Sequence, residues 1–359
     1  MTMELQLPEI LANLDVDIED PATCPPARWG IIGPGGIARQ FLNDARDGTA
    51  CDVTAVASRS QERAEAFAQH YGIAHAYGSY EELVASDEID VVYVATPHSE
   101  HHDHAILALE AGKPVLVEKA FTRNSAEARQ VLDVARAKGL FVMEAMWSRF
   151  LPHMVVARAI VRSGALGDVV QVVGDHGQTL THVERMWNPA LAGGALLDLG
   201  VYPISFIHSV LGSPGEIRAM GHRLATGVDS SSVAALMYPD ALGVATTNLA
   251  ARTPTRAWIG GTRGRIDFDT DFYRPGGITV TIGGEEQVRW EAAYPAGGFQ
   301  FQIAEVARCL DAQATESATM PWEDTIEVMG IMDEVRRQLA VRYPDEPSLR
   351  PRHPGGGPG

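Results

Sequence analysis

Through the first 150 residues, short runs that are apolar at nearly every position alternate with longer stretches whose apolar residues recur every three or four positions. "RWGIIG" reads as a strand closed by glycine. "IARQFLNDARD" follows as an amphipathic helix with Ile37, Phe41, Leu42 and Ala45 on one face. "CDVTAVAS" is a second strand, and "SQERAEAFAQHYG" a helix that Gly72 ends. The strands "DVVYVAT", "PVLVEKA" and "FVMEAMW" come next, with the helices "YEELVASDEI", "SEHHDHAILALEAG" and "SAEARQVLDVARAKG" around them. Strands apolar on both faces, each joined to the next by a helix, predict an α/β domain whose parallel sheet is wound on both sides.

After Pro152 the pattern changes to consecutive strands separated by glycine or proline turns, from "DVVQVVGDHGQ" through "SSVAALMY" and "GVATTNLAA" to "QVRWEAA". "MVVARAIVRSG" and "ALLDLGVYPISFIHSVLG" are helical, and "FQFQIAEVARCLDAQ" and "WEDTIEVMGIMDEVRRQLAV" are expected to close this second domain. The prediction is an α+β domain with a large, mostly antiparallel open sheet carrying helices on one face. The division expected is an N-terminal extension over 1–27, an arm or disordered, and a parallel-sheet domain over 28–150. A second domain over 151–343 and a flexible tail over 344–359 complete it. Pro203 is tolerated only in a first helical turn, so the long helix is expected to start near Gly200, with "ALLD" as a preceding turn.

Composition narrows the partners. The 359 residues suit two domains, and 45% hydrophobic with 21% charged residues suits a soluble globular chain. A net charge of −17 repels phosphate backbones, so nucleic acid is not an expected partner. No apolar run is read as approaching the roughly 20 residues of a membrane helix, and the acidic N-terminus does not read as a secretory signal. Cys24, Cys51 and Cys309 show no paired or metal-like spacing, which favours a cytoplasmic setting.

"GIIGPGGIA" stands at the first strand-to-helix turn, where Gly33, Gly35, Gly36, Ile37 and Ala38 complete a G-x-G-x-x-A dinucleotide fingerprint of the Rossmann type. Gly33 permits the tight turn, Gly35 lets backbone approach a pyrophosphate, and the helix start presents free amides to it. Roughly 20 residues on, an NAD site expects an acid; this chain has Ser58, Arg59 and later Arg63. Hydroxyls and guanidinium groups suit a 2′-phosphate, so NADP(H) is the cofactor expected. In open parallel sheets ligands gather beyond the carboxyl ends of the strands. Lys119 stands at such an end, as do Thr96, Pro97 and His98. Its neighbour Glu118 points to the opposite face and is a poor partner for it.

"GIIGPGGIA", "VATPHSEHHDHAILALEAGKPVLVEKAFTRN" and "GGALLDLGVYP" together resemble the glucose–fructose oxidoreductase, inositol dehydrogenase and MocA-like family. "EAMWSRFLP", "GVYP" and the late "MPWEDTIEVMGIMDEVRRQ" resemble its dimeric dihydrodiol dehydrogenase and NADP-dependent xylose dehydrogenase branch. The likeness covers about 28–343. The family's Glu-Lys-Pro reads Glu118-Lys119-Ala120 here. The resemblance implies hydride transfer between nicotinamide and a carbinol or carbonyl carbon of a sugar, keto-sugar or cyclic trans-diol. Asp198 and Tyr202, four apart, share a helix face. Tyr202 would exchange the hydroxyl proton; a free phenol titrates near ~10, and Lys119 as a nearby cation would favour the phenolate. Asp198 would bond a substrate hydroxyl or steady Lys119. His98, His101 and Glu118 would line the nicotinamide site, and Trp147, Arg149 and Phe301 the substrate pocket. No metal is expected in "HSEHHDH". A homodimer or homotetramer through the second sheet is implied. Competing readings are an NADP-sensing regulator or scaffold of the same fold, or a cofactor-recycling glycosidase.

Overall fold

Trp29, Ile31 and Ile32 are wholly buried in β1 (Arg28–Ile32), and Phe41 of α1 (Gly36–Gly48) packs edge-on to Trp29. Phe41 also stacks on Tyr93 of β4 (Val91–Val94), their ring centroids 4.0 Å apart. β2 (Asp52–Ala57), β5 (Val115–Glu118) and β6 (Val142–Ala145) form where the apolar runs predict them. A three-residue edge strand, β3 (His75–Tyr77), has no such run and is half-buried; it forms by pairing with β2. The sheet is parallel, in the order β3-β2-β1-β4-β5-β6. The strand order switches direction between β1 and β4, the place where such sheets open a crevice at their carboxyl ends. Helices α2 (Gln61–Tyr71), α3 (Tyr80–Val84), α4 (His101–Glu110) and α5 (Ser125–Lys138) complete the alternation. Gly72 and Gly139, at φ +65° and +63°, end α2 and α5 in the left-handed conformation that glycine adopts without strain.

The computed structural model describes residues 14, 16–283, 286–294 and 296–346. Most of the expected N-terminal extension and the tail from 347 onward therefore lie outside the described residues. The chain forms two units: Asp17–Leu151 with Ala293–Thr325, and a second whose described part is chiefly Pro152–Ala292 with 326–346. The first unit thus takes back a late segment. α9 (Gln300–Asp311), expected to close the second domain, packs instead against α1, because the buried Asp44 carboxylate accepts hydrogen bonds from the amides of Gly297 and Phe299 at 2.9 and 2.8 Å.

In the second unit, α6 (Pro152–Arg162), β7 (Val169–Gly177), α7 (Glu184–Trp187) and α8 (Val201–Leu211) precede β8 (Glu216–Arg223), β9 (Asp229–Met237) and β10 (Leu242–Asn248). β11 (Ala257–Gly261), β12 (Gly264–Phe268), β13 (Gly277–Ile282) and β14 (Glu286–Glu291) complete a sheet in the order β14-β13-β12-β11-β7-β10-β9-β8. Its pairs are antiparallel except β7 with β10. One face buries Val172, Leu236, Ala245, Ile259 and Ile266. The opposite face carries Val173, Val233, Val244 and Trp258, none fully buried, beside the exposed Met220 and Met237. α10 (Trp322–Leu339) starts in the first unit and continues in the second. One segment among the described residues, Pro189–Leu211, is long and apolar enough to cross a membrane, contrary to the expectation from sequence; 89% of its apolar window is buried, as in a core helix.

Candidate active site

The glycine turn is built for close approach. Gly33 sits at φ +94°, and a Cβ there would stand 2.9 Å from Thr96 Cγ2, so only glycine lets the ends of β1 and β4 lie this close. Gly35 caps α1 without a side chain, and no acid occupies the first turn. A Cβ on Gly35 would meet nothing within 4 Å. Uncapped amides at Gly36, Ile37 and Ala38 beside that open space fit a pyrophosphate. At the end of β2, Ser58 is buried and its Oγ accepts from the Ser60 amide, while Arg59 and Arg63 are exposed. Both guanidinium groups lie near the Tyr80 phenol, whose pKa burial raises against their pull. His104 completes this corner, 4.6 Å from the Tyr80 ring and bonded through Nδ1 to Thr96 Oγ1 at 3.0 Å. Helix periodicity assigns Tyr80 only to a helix start, and His104 belongs to "HSEHHDH", where its helical spacing from His101 bears only on a metal.

The lysine turn is pinned from beneath. Glu118 Oε2 accepts from the Lys119 amide at 3.2 Å, and its Oε1 accepts from the Tyr93 hydroxyl at 2.5 Å. Glu144 on β6 takes the Phe121 amide at 3.1 Å. His101 faces the Ala120 carbonyl through Nδ1 at 2.9 Å and the Thr96 carbonyl through Nε2 at 2.8 Å. The Lys119–Ala120 peptide is cis. Burial depresses the His101 pKa to about 4, against the upward pull of both carbonyls, and pushes Glu144 up to about 7. His101, expected against the cofactor, is 1% exposed with both nitrogens on backbone; it joins the turns after β4 and β5 from inside. His98 is buried with its ring 5.5 Å from that of His101. Pro97 lies between Thr96 and His98 at the head of the short turn 98–100.

Two expected pocket residues face partners within the first unit. Arg149 is 4% exposed and ion-paired with Asp324, a carboxylate that turns it inward. Phe301 packs edge-on to Tyr294 and lines a cavity of about 230 Å³ with Asp20, Asp47 and Gly48. That is the C-terminal end of α1, ~20 Å along the helix from the glycine turn. Trp147 packs against Phe299, the ring centroids 4.7 Å apart and the planes tilted by 56°.

In the second unit, Leu196–Gly200 forms a single π-turn that runs into α8, so Tyr202 and Pro203 fall in the first turn of α8. Proline brings no amide to the Leu199 carbonyl; His176 Nδ1 supplies a hydrogen bond at 3.1 Å. With its proton there, His176 Nε2 accepts from Gln178 Nε2 at 2.9 Å, and the same amide donates to the Tyr273 hydroxyl at 2.9 Å. Arg274 Nε donates to that hydroxyl as well, at 3.1 Å. The Tyr202 ring lies 5.2 Å from His176 and 4.5 Å from Tyr273. Asp198 is gripped by Arg185 through two contacts, 2.7 and 3.2 Å. His176 and Gln178 alternate at the end of β7 and so share a face, a signal the sequence did carry. Tyr273 and Arg185 offered none.

Residues 27–146 match the oxidoreductase family with an NAD-binding Rossmann fold, and residues 154–267 match the GFO/IDH/MocA C-terminal domain. The chain is 37% identical to D-xylose 1-dehydrogenase (NADP(+)) of Hypocrea jecorina, over 89% of this chain and 93% of that one. It is 37% identical to trans-1,2-dihydrobenzene-1,2-diol dehydrogenase of Macaca fascicularis, over 89% and 98%. Among solved structures it is similar to KijD10, a 3-ketoreductase from Actinomadura kijaniata in complex with TDP-benzene and NADP. That likeness has a TM-score of 0.74 at 26% identity, covering 87% and 97% of the two chains.

Proposed function

The chain belongs to the GFO/IDH/MocA oxidoreductase family, and on that premise we propose that it is an NADP(H)-dependent dehydrogenase or reductase of a sugar, keto-sugar or cyclic trans-diol. The observation that carries the reading is the turn 118–121: three buried polar side chains, Glu118, His101 and Glu144, hold the backbone around Lys119 at a strand's carboxyl end. Buried polar groups are costly, and here they serve to aim one ammonium. NADP(H), when bound, supplies or accepts the hydride. Gly33, Gly35 and the first amides of α1 hold its pyrophosphate, and Ser58, Arg59 and Arg63 its 2′-phosphate. Tyr202 gives or takes the hydroxyl proton, with Lys119 favouring the phenolate. Asp198, neutralised by Arg185, orients a substrate hydroxyl, and Trp147 offers an aromatic wall. The open sheet face bearing Val173, Val244 and Trp258 joins a second copy of the chain. A cytoplasmic location completes this reading.

The test is a screen of aldoses, keto-sugars and cyclic diols, following NADPH absorbance in both directions, with Tyr202→Phe alongside. Turnover by the native chain, lost in the variant while NADPH still binds, is the expected result. NADPH binding without turnover of any class would return the chain to the cofactor-sensing reading, and a preference for NADH would overturn the cofactor.

A further inference from the structure

Cys24 and Cys51 lie 27 positions apart in sequence, yet their sulfurs are 3.8 Å apart and both residues are 4% exposed. Cys51 opens onto β2, with its amide on Thr49 Oγ1 at 3.0 Å and its sulfur 3.7 Å from the Pro25 carbonyl. Cys24 follows the short turn Pro21–Thr23, upstream of the family match that starts at residue 27. Ile18, Pro21 and Cys24 are buried along this segment. Arg308 of α9 holds it from the other side, donating to the Asp20 carbonyl at 3.0 Å and ion-pairing with Glu19.

We propose that Cys24 and Cys51 are a peroxide-responsive dithiol, oxidised reversibly to a disulfide that ties the 17–27 segment to the start of β2. The two sulfurs are in contact already, so a bond of ~2.0 Å can replace the contact. Cys24 is the attacking thiol: the hydrogen bond with Cys51, the Ala50 backbone and the charge of Arg308 outweigh burial and lower its pKa, while the Cys51 thiol is raised. The Cys24 thiolate attacks one oxygen of hydrogen peroxide. The O–O bond breaks, and the departing hydroxide takes a proton to leave as water. Cys51 sulfur then attacks the Cys24 sulfenic acid, forming the S–S bond and releasing a second water. Two thiols are oxidised and one peroxide is reduced. Cys309 is an internal control. It is more exposed, but burial and the Glu305 carboxylate 3.8 Å away push its pKa up to about 12. The thiolate is the reactive form, so exposure alone would favour Cys309 and acidity favours Cys24.

The test treats the full native chain with hydrogen peroxide, alkylates it on denaturation and maps its peptides. The expected result is a Cys24–Cys51 crosslink lighter by two hydrogens, reversed by dithiothreitol, with Cys309 alkylated. In Cys51→Ser, whose hydroxyl still donates a hydrogen bond to Cys24, dimedone should trap a Cys24 sulfenic acid formed ~10-fold faster than any at Cys309. Alkylation of all three cysteines after peroxide, a crosslink through Cys309, or Cys24 oxidising no faster than Cys309 would overturn the proposal. The native chain's peptide map does not depend on any variant folding, nor on the substrate.

Discussion

Replacing Glu144 by glutamine should stabilise this protein at alkaline pH and leave it unchanged at acid pH. The carboxyl is 1% exposed; its Oε1 accepts from the Phe121 amide, and the Thr325 side chain also bonds to it. Burial outweighs the pull of Arg149 and raises its pKa from 4.5 to about 7. Below pH 4.5 the acid is neutral both folded and unfolded, and contributes no penalty. Between these values the unfolded chain releases a proton that the native state retains, so stability falls as pH rises, and it levels off above about 7. At ~1.4 kcal/mol per pH unit, the ionised carboxylate costs the fold about 3 kcal/mol on that plateau. Glutamine keeps the acceptor for Phe121 and carries no charge to desolvate. Glu144→Gln should therefore gain nothing near pH 4.5 and about 3 kcal/mol above pH 7, or about 5 °C in Tm for a chain of this size. Thermal melts of both proteins from about pH 4.5 to 8.5 would measure it. A Tm difference constant across that range, or a variant that melts lower at alkaline pH, refutes the account of a buried, proton-retaining carboxyl.

Other positions are open to direct measurement. Arg59→Ala with Arg63→Ala should weaken NADPH binding ~10- to 100-fold and leave NADH unchanged in a fluorescence titration, because only the former carries the 2′-phosphate. His176→Phe leaves the Leu199 carbonyl without its side-chain donor beneath Tyr202; urea denaturation should report a loss of ~1–3 kcal/mol. Its kcat should fall while NADPH affinity holds. Val244→Arg on the open sheet face should shift the sedimentation coefficient toward that of a single chain without altering the melt of the first unit; an unchanged coefficient would remove that face as the interface.

The apolar runs and glycine turns determined the parallel sheet, the uncapped start of α1 and the basic end of β2, because each is encoded within a few dozen contiguous residues. Periodicity reports which face an element buries, and turn chemistry reports where it stops. Partners remote in sequence were decided only by the tertiary structure. Arg149 meets Asp324 across 175 positions, and Gln178 meets Tyr273 across 95. Asp44 draws α9 back to the first unit, and Cys24 finds Cys51 although nothing in their spacing marks them as a pair. Each of these groups is buried or half-buried, and a polar or charged atom in such a place must take whatever complement the packing brings within contact. That choice depends on the course of the whole chain, so no local pattern foretells it.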